Sequence, residues 1–226
     1  DTVRTDLRTD RKANRAGVME ALDAMAATRP QDTAVLFLSG HARTVGSEWY
    51  FLPQELADLA DEREVVRVGI SGDALAEALI RVPARRILVI VDSCQAGAVL
   101  APFEVFGQRR ALHALKRRAG VVVIAATRAD QLALEYGLLG HGLLTFSLLE
   151  GLQEGARGRL RADTAPADGR LTAAEIKSYA ETRAPALAAE LDDELAAMVG
   201  GRGDFSSTVP VTPVGLVLGA NFAVAR

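Results

Sequence analysis

Three short apolar runs limit what this chain can fold into. They are "AVLFL" (Ala34–Leu38), "ILVIV" (Ile87–Val91) and "VVVIA" (Val121–Ala125). Each is built from valine, isoleucine, leucine and other apolar residues, with no alternating polar position. Runs of this kind suit parallel strands covered on both faces. Stretches with helical spacing surround them. Arg11 to Ala27 repeats Val18, Leu22, Met25 and Ala26 near a helical period. Gly72 to Arg81 sets Leu75, Leu79 and Ile80 on one side, and Leu143 to Leu152 continues the pattern. Strands alternating with helices predict an α/β fold with a mainly parallel central sheet flanked by helices. Reactive groups in such sheets gather at the carboxyl ends of the strands.

The last third is less regular. Thr172 to Glu181 reads as one helix and Pro185 to Met198 as another. Val209 to Val217, interrupted by Pro210 and Pro213, reads as an irregular or edge strand, because proline cannot donate to a ladder. Gln108 to Arg118 ("QRRALHALKRR") is the most basic stretch and reads as a solvated helix or loop.

Bulk properties exclude several function classes. The chain has 226 residues, enough for one large or two small domains, and 49% are hydrophobic, enough for a sizeable core. A formal net charge of −3 argues against nucleic acid or an anionic membrane as partner. A single cysteine, Cys94, forbids an internal disulfide, so a reducing, cytoplasmic setting is expected. No apolar run approaches the ~20 residues of a membrane span. The chain begins at Asp1 with no methionine and no signal peptide, as a truncated or processed piece would. No glycine-rich phosphate loop is present, which argues against a nucleotide-driven enzyme.

Two strand ends carry the chemistry. The first apolar run leads into "SGHAR" and presents His41; the second leads into "DSCQAG" and presents Cys94, 53 positions later. If these strands are parallel neighbours, both side chains emerge at one sheet edge. A thiol beside an imidazole can lose its proton to it, and the thiolate is the nucleophile. The histidine can then protonate a leaving amine. Taken singly, each residue has an ordinary structural explanation: a small buried hydrophobe for the cysteine, a turn residue for the histidine.

The motifs "FLSGHA" (Phe37–Ala42), "EWYFLP" (Glu48–Pro53), "VIVDSCQAG" (Val89–Gly97) and "GHGLLTFSLLEGL" (Gly140–Leu152) resemble the caspase-like cysteine peptidases, within them the metacaspase and bacterial caspase-like branch. The likeness covers almost the whole chain in the family's motif order, and a histidine about 50 residues before the cysteine is a caspase signature. The resemblance implies a caspase-like three-layer sandwich. It implies a dyad of Cys94 as nucleophile and His41 as general acid/base, with the backbone N–H groups of Ala42 and Cys94 as oxyanion hole. Ala42 stands where the family has glycine; alanine keeps the N–H but narrows the backbone dihedrals. Gln95 replaces the family's histidine, a change expected to be minor. The family's first strand is expected upstream of this chain. Residues 1–108 then correspond to a large-subunit-like part lacking that strand, 109–120 to a processing segment and 121–226 to a small-subunit-like part.

In the metacaspase branch the aspartate two positions before the cysteine, here Asp92, lines the primary pocket and pairs with arginine or lysine of the substrate. A partly buried carboxylate needs a cationic partner, and arginine satisfies it bidentately. The alternative role is a cap for the turn that follows. Asp130, in "RADQLALE", is a second candidate pocket wall by the same resemblance; the alternative is a solvated loop acid. A pocket for basic residues gives Arg109, Arg110, Lys116, Arg117 and Arg118 a meaning as an autoprocessing site, in a region where relatives are often cleaved.

Other signals carry less. Asp168, Gly169 and Glu175 match the later spacing of a calcium loop, but Thr164 and Pro166 stand where its first ligands belong, and Thr172 with Glu175 forms a capping box. No metal and no cofactor is expected, although several metacaspases need calcium. Trp49 and Tyr50 are expected to pack beneath the His41 loop. His141 reads as a turn or cap residue. The expected partners are protein or peptide substrates, with a fused or associated N-terminal or sensor domain as in bacterial relatives. Two other functions stay open: a catalytically weak caspase-like regulatory or scaffold module, and a non-peptidase α/β hydrolase that uses the thiol on a small molecule.

Overall fold

The computed structural model describes residues 2–103, 120–128, 135–136, 141–155, 158–164, 166–198 and 212–225. Helix α1 (Arg15–Ala24) begins where Asn14 accepts the Gly17 N–H. Strand β1 (Thr33–Ser39) follows, then a hairpin of β2 (Ala42–Val45) and β3 (Glu48–Phe51). Gly46, the first of the two loop residues between them, takes φ +64, the positive φ that a two-residue hairpin loop requires. Helix α2 (Glu62–Val68) leads to β4 (Ile70–Ser71), which pairs with β3. Ser71 accepts the Ala74 N–H and so starts α3 (Gly72–Ile80).

Strand β5 (Arg86–Asp92) is parallel to β1, and β6 (Gly120–Ala125) is parallel to β5. Strands β7 (Glu135–Tyr136) and β8 (His141–Gly142) pair just before α4 (Leu143–Gly151). Strand β9 (Leu171–Thr172) opens α5 (Ala173–Met198). Strand β10 (Val214–Gly219) lies antiparallel on β6, and β11 (Ala223–Ala225) pairs with β9. The central sheet therefore reads β1–β5–β6–β10, mainly parallel, as the alternating apolar runs predict.

Side-chain alternation divides the core into two layers. Ile87, Val89 and Val91 of β5, with Val121 and Val123 of β6, join Val18 and Leu22 of α1 and Leu75 and Leu79 of α3. Leu88, Val122 and Ile124 point the other way and join Leu144 and Leu148 of α4 and Ile176 and Ala180 of α5. Helices on both faces of one sheet make three layers. Ile87, Val89, Val91, Val122, Val123 and Ile124 are fully buried. Each such side chain contributes about 1.5–3 kcal/mol at most.

The expectation of cover on both faces holds for β5 and β6 but not for β1. There Ala34 and Leu38 are buried, whereas Val35 and Phe37 remain 54% and 47% exposed. Among the described strands β1 lies at the sheet edge, and the α4–α5 layer packs over β5 and β6 rather than over it. Two other expectations change. The two separate tail helices are one continuous α5 with Pro185 inside it. Proline removes one helical N–H, but Ala184, Leu187 and Leu191 pack on Leu143 of α4 on both sides of that gap and hold the helix together. The late edge strand is real but begins at Val214, just after Pro213. The basic segment Gln108–Arg118 lies outside the described residues.

Candidate active site

The sheet register fixes where the two candidate catalytic residues emerge. Ser39, the last residue of β1, is the partner of Asp92, the last residue of β5. Gly40 adds one more rung, its N–H donating to the Asp92 carbonyl at 3.2 Å, and it takes φ +149, a region open to glycine. His41 and Cys94 each stand two residues beyond that Ser39–Asp92 pair, in the turns that follow two neighbouring parallel strands. His41 is exposed and Cys94 half-buried, so both reach the surface at the carboxyl edge of the sheet.

Hydrogen-bond parity places Ala42. The His41 carbonyl accepts the Leu52 N–H at 2.9 Å, and Ala42 is the partner of Phe51. Ala42–Phe51 is therefore a non-hydrogen-bonded pair of the antiparallel ladder, and the Ala42 N–H points away from β3. Thr44, two residues on, has the same parity. Its N–H points out from the same edge of β2 and donates to Gln95 Oε1 at 2.8 Å. The outer edge of β2, which carries the Ala42 N–H, thus faces the turn that carries Cys94. Alanine fits at position 42: among the described non-glycine residues, positive φ occurs only at Asp10 and Gln95. Trp49 is 1% exposed and packs in the core beneath this hairpin, as expected; Tyr50 is half-buried.

The cysteine turn is tied down at several points. Gln95 adopts the left-handed conformation at φ 53, and its carbonyl accepts the Ala98 N–H at 3.0 Å. The buried hydroxyl of Thr127, just past β6, accepts the Ala96 N–H at 3.2 Å. Ser93 is 1% exposed, and its hydroxyl has no hydrogen-bond partner among the described residues.

Asp92 is 7% exposed. Its Oδ2 accepts the Thr145 N–H at 3.2 Å and also the Thr145 hydroxyl. Gly142 is the N-cap of α4 and has no side chain to satisfy the helix start, so Asp92 supplies the acceptor from across the fold. A Cβ on Gly142 would lie 2.6 Å from Asp92 Oδ2, so the carboxylate occupies the space that glycine leaves. Asp92 does act as a cap, of a helix whose capped N–H lies 53 residues away. Asp130 lies outside the described residues. His141 is exposed and sits in β8, paired with Tyr136, rather than capping α4.

Sequence reasoning passed over Thr145, Thr127 and the weight of Gln95. Thr145 and Gln95 lie within the quoted motifs and Thr127 just past the third apolar run, but the partners that give them roles lie 31 to 53 positions away. At the discounted calcium loop, Asp163 accepts the N–H groups of Asp168 and Gly169, and Thr172 and Glu175 form the capping box of α5. Among the described residues no group of three or more His, Cys, Asp or Glu is arranged to hold a metal ion, and no helix is long and apolar enough to cross a membrane.

A crystal structure of protein GSU0716 from Geobacter sulfurreducens is similar over 94% of this chain and 76% of that one, with a TM-score of 0.51 and 13% sequence identity. At that identity the likeness concerns the α/β fold alone. No protein-family model matches the chain, and no curated protein matches it.

Proposed function

We propose that this chain is a cysteine endopeptidase of the caspase-like type, cleaving after arginine or lysine. The observation that carries the reading is the equal overhang of His41 and Cys94 beyond the paired strand ends Ser39 and Asp92. In this reading the Cys94 thiolate attacks the scissile carbonyl. The backbone N–H groups of Ala42 and Cys94 stabilise the resulting oxyanion, a role supported by the outward placement of the Ala42 N–H. His41 gives its proton to the departing amine, and water then releases the acyl group and restores the thiol. Asp92, a buried carboxylate at the carboxyl end of β5, is the recognition group for the basic side chain, and Asp130 is a second wall. Acyl transfer of this type needs no cofactor.

The test is turnover of an arginyl fluorogenic peptide by wild type and Cys94→Ala. Turnover abolished by the substitution supports the reading, and equal signals from both proteins end it. The same pair tests autoprocessing in the basic segment. Intact mass after incubation should show cleavage near Arg109–Arg118 in the wild type only.

A further inference from the structure

We propose that Gln95 is a positioning residue that latches the His41 hairpin onto the cysteine turn and so sets the place of the Ala42 N–H. The inference rests on the peptidase reading and assigns a task to a residue that touches no reacting atom. Three observations carry it. The Gln95 side chain accepts the Thr44 N–H at 2.8 Å, in a part-buried setting, across 51 positions of sequence. Thr44 and Ala42 have the same ladder parity on the outer edge of β2, an edge that pairs with no strand among the described residues. A single rigid strand therefore transmits the position of the Thr44 N–H to the Ala42 N–H and the adjoining His41. Finally, Gln95 occupies left-handed backbone at φ 53, which costs a non-glycine residue about 1 kcal/mol or more. Glycine would relieve that cost but would have no side chain to reach Thr44.

Without the bond, the outer edge of β2 has no hydrogen bond to the cysteine turn among the described residues, while the inner edge stays paired with β3 and Trp49 stays buried. The expected result is a folded enzyme whose oxyanion donor and imidazole are misplaced. Substrate binding outside the hairpin is untouched, so the loss falls on kcat rather than on KM.

The experiment compares wild type with Gln95→Asn, which tolerates left-handed backbone but is one methylene too short to reach Thr44. A third protein, Gln95→Glu, keeps both reach and acceptor. Each is read by kcat and KM on an arginyl peptide at its own pH optimum, and by amide hydrogen exchange of residues 42–51. Gln95→Asn should lose about fivefold to tenfold in kcat, the value of one net hydrogen bond, with KM within about twofold. Its hairpin amides should exchange faster while those of β5 and β6 stay protected. Gln95→Glu should recover most of both. A Gln95→Asn enzyme with wild-type kcat and hairpin exchange overturns the latch and leaves the peptidase reading standing, as does a Gln95→Glu enzyme no better than Gln95→Asn. A wild type that turns over no arginyl or lysyl peptide removes both.

Discussion

Replacing Asp92 by alanine should cost about 3 kcal/mol of folding stability, even though the residue lies beside the proposed nucleophile. The carboxylate is 7% exposed and accepts two bonds from Thr145, one from the N–H at 3.2 Å and one from the hydroxyl. The first is the N-cap bond of α4, whose own cap residue is Gly142. Loss of a cap to alanine costs about 1 kcal/mol. The second leaves a hydroxyl without its acceptor in a part-buried site, which costs a further 1–3 kcal/mol or so. For a domain of this size about 3 kcal/mol lowers Tm by roughly 6–12 °C. Asparagine keeps an oxygen acceptor at the same reach and caps about as well as aspartate, so Asp92→Asn should cost only about 1 kcal/mol. Urea unfolding with an unchanged m-value measures both. An alanine variant within about 0.5 kcal/mol of wild type, well under the cost of a lost cap, refutes the capping argument. So does an asparagine variant as unstable as the alanine one. The asparagine variant also separates the two tasks given to Asp92. With the fold intact and the charge gone, kcat/KM on arginyl and lysyl peptides should fall about tenfold or more, the value of one charge-assisted pair. Retained preference for basic residues would leave Asp92 as a cap alone.

Two further outcomes follow from the same packing. Gly142→Ala places a Cβ 2.6 Å and 2.8 Å from the two Asp92 oxygens and should push the carboxylate off Thr145, costing about 2–3 kcal/mol. In an Asp92→Ala background the clash is gone, so a double-mutant cycle by urea unfolding should show coupling above about 1 kcal/mol; additive costs would contradict the contact. Pro185→Ala restores a helical N–H in the middle of α5 and should raise stability by about 1–3 kcal/mol in the same assay. A loss instead would mean that the proline shapes α5 for its packing on α4.

Periodicity made much of the fold legible. The runs at Ile87–Val91 and Val121–Ala125 could be little other than buried strands, and β5 and β6 are buried along almost their whole length. Helical spacing from Arg11 gave α1, and Thr172 with Glu175 marked the start of α5. That His41 and Cys94 follow neighbouring parallel strands was legible because each follows an apolar run. What periodicity could not carry was any property that depends on a distant partner. Valine and phenylalanine at positions 35 and 37 look as buried as their neighbours, yet an edge strand beyond the reach of α4 and α5 leaves them exposed. Pro185 reads as a helix break, yet α4 gives both halves of α5 one surface to pack on.

The amino-acid order alone pointed to the main strands, the α/β class and the parallel central sheet. These follow from side-chain spacing along a few consecutive residues. The fold decided that Asp92 caps α4, that Gln95 grips Thr44 and that the Ala42 N–H faces the cysteine turn. Each of those joins segments 50 or so positions apart, which only the folded chain brings to hydrogen-bonding distance.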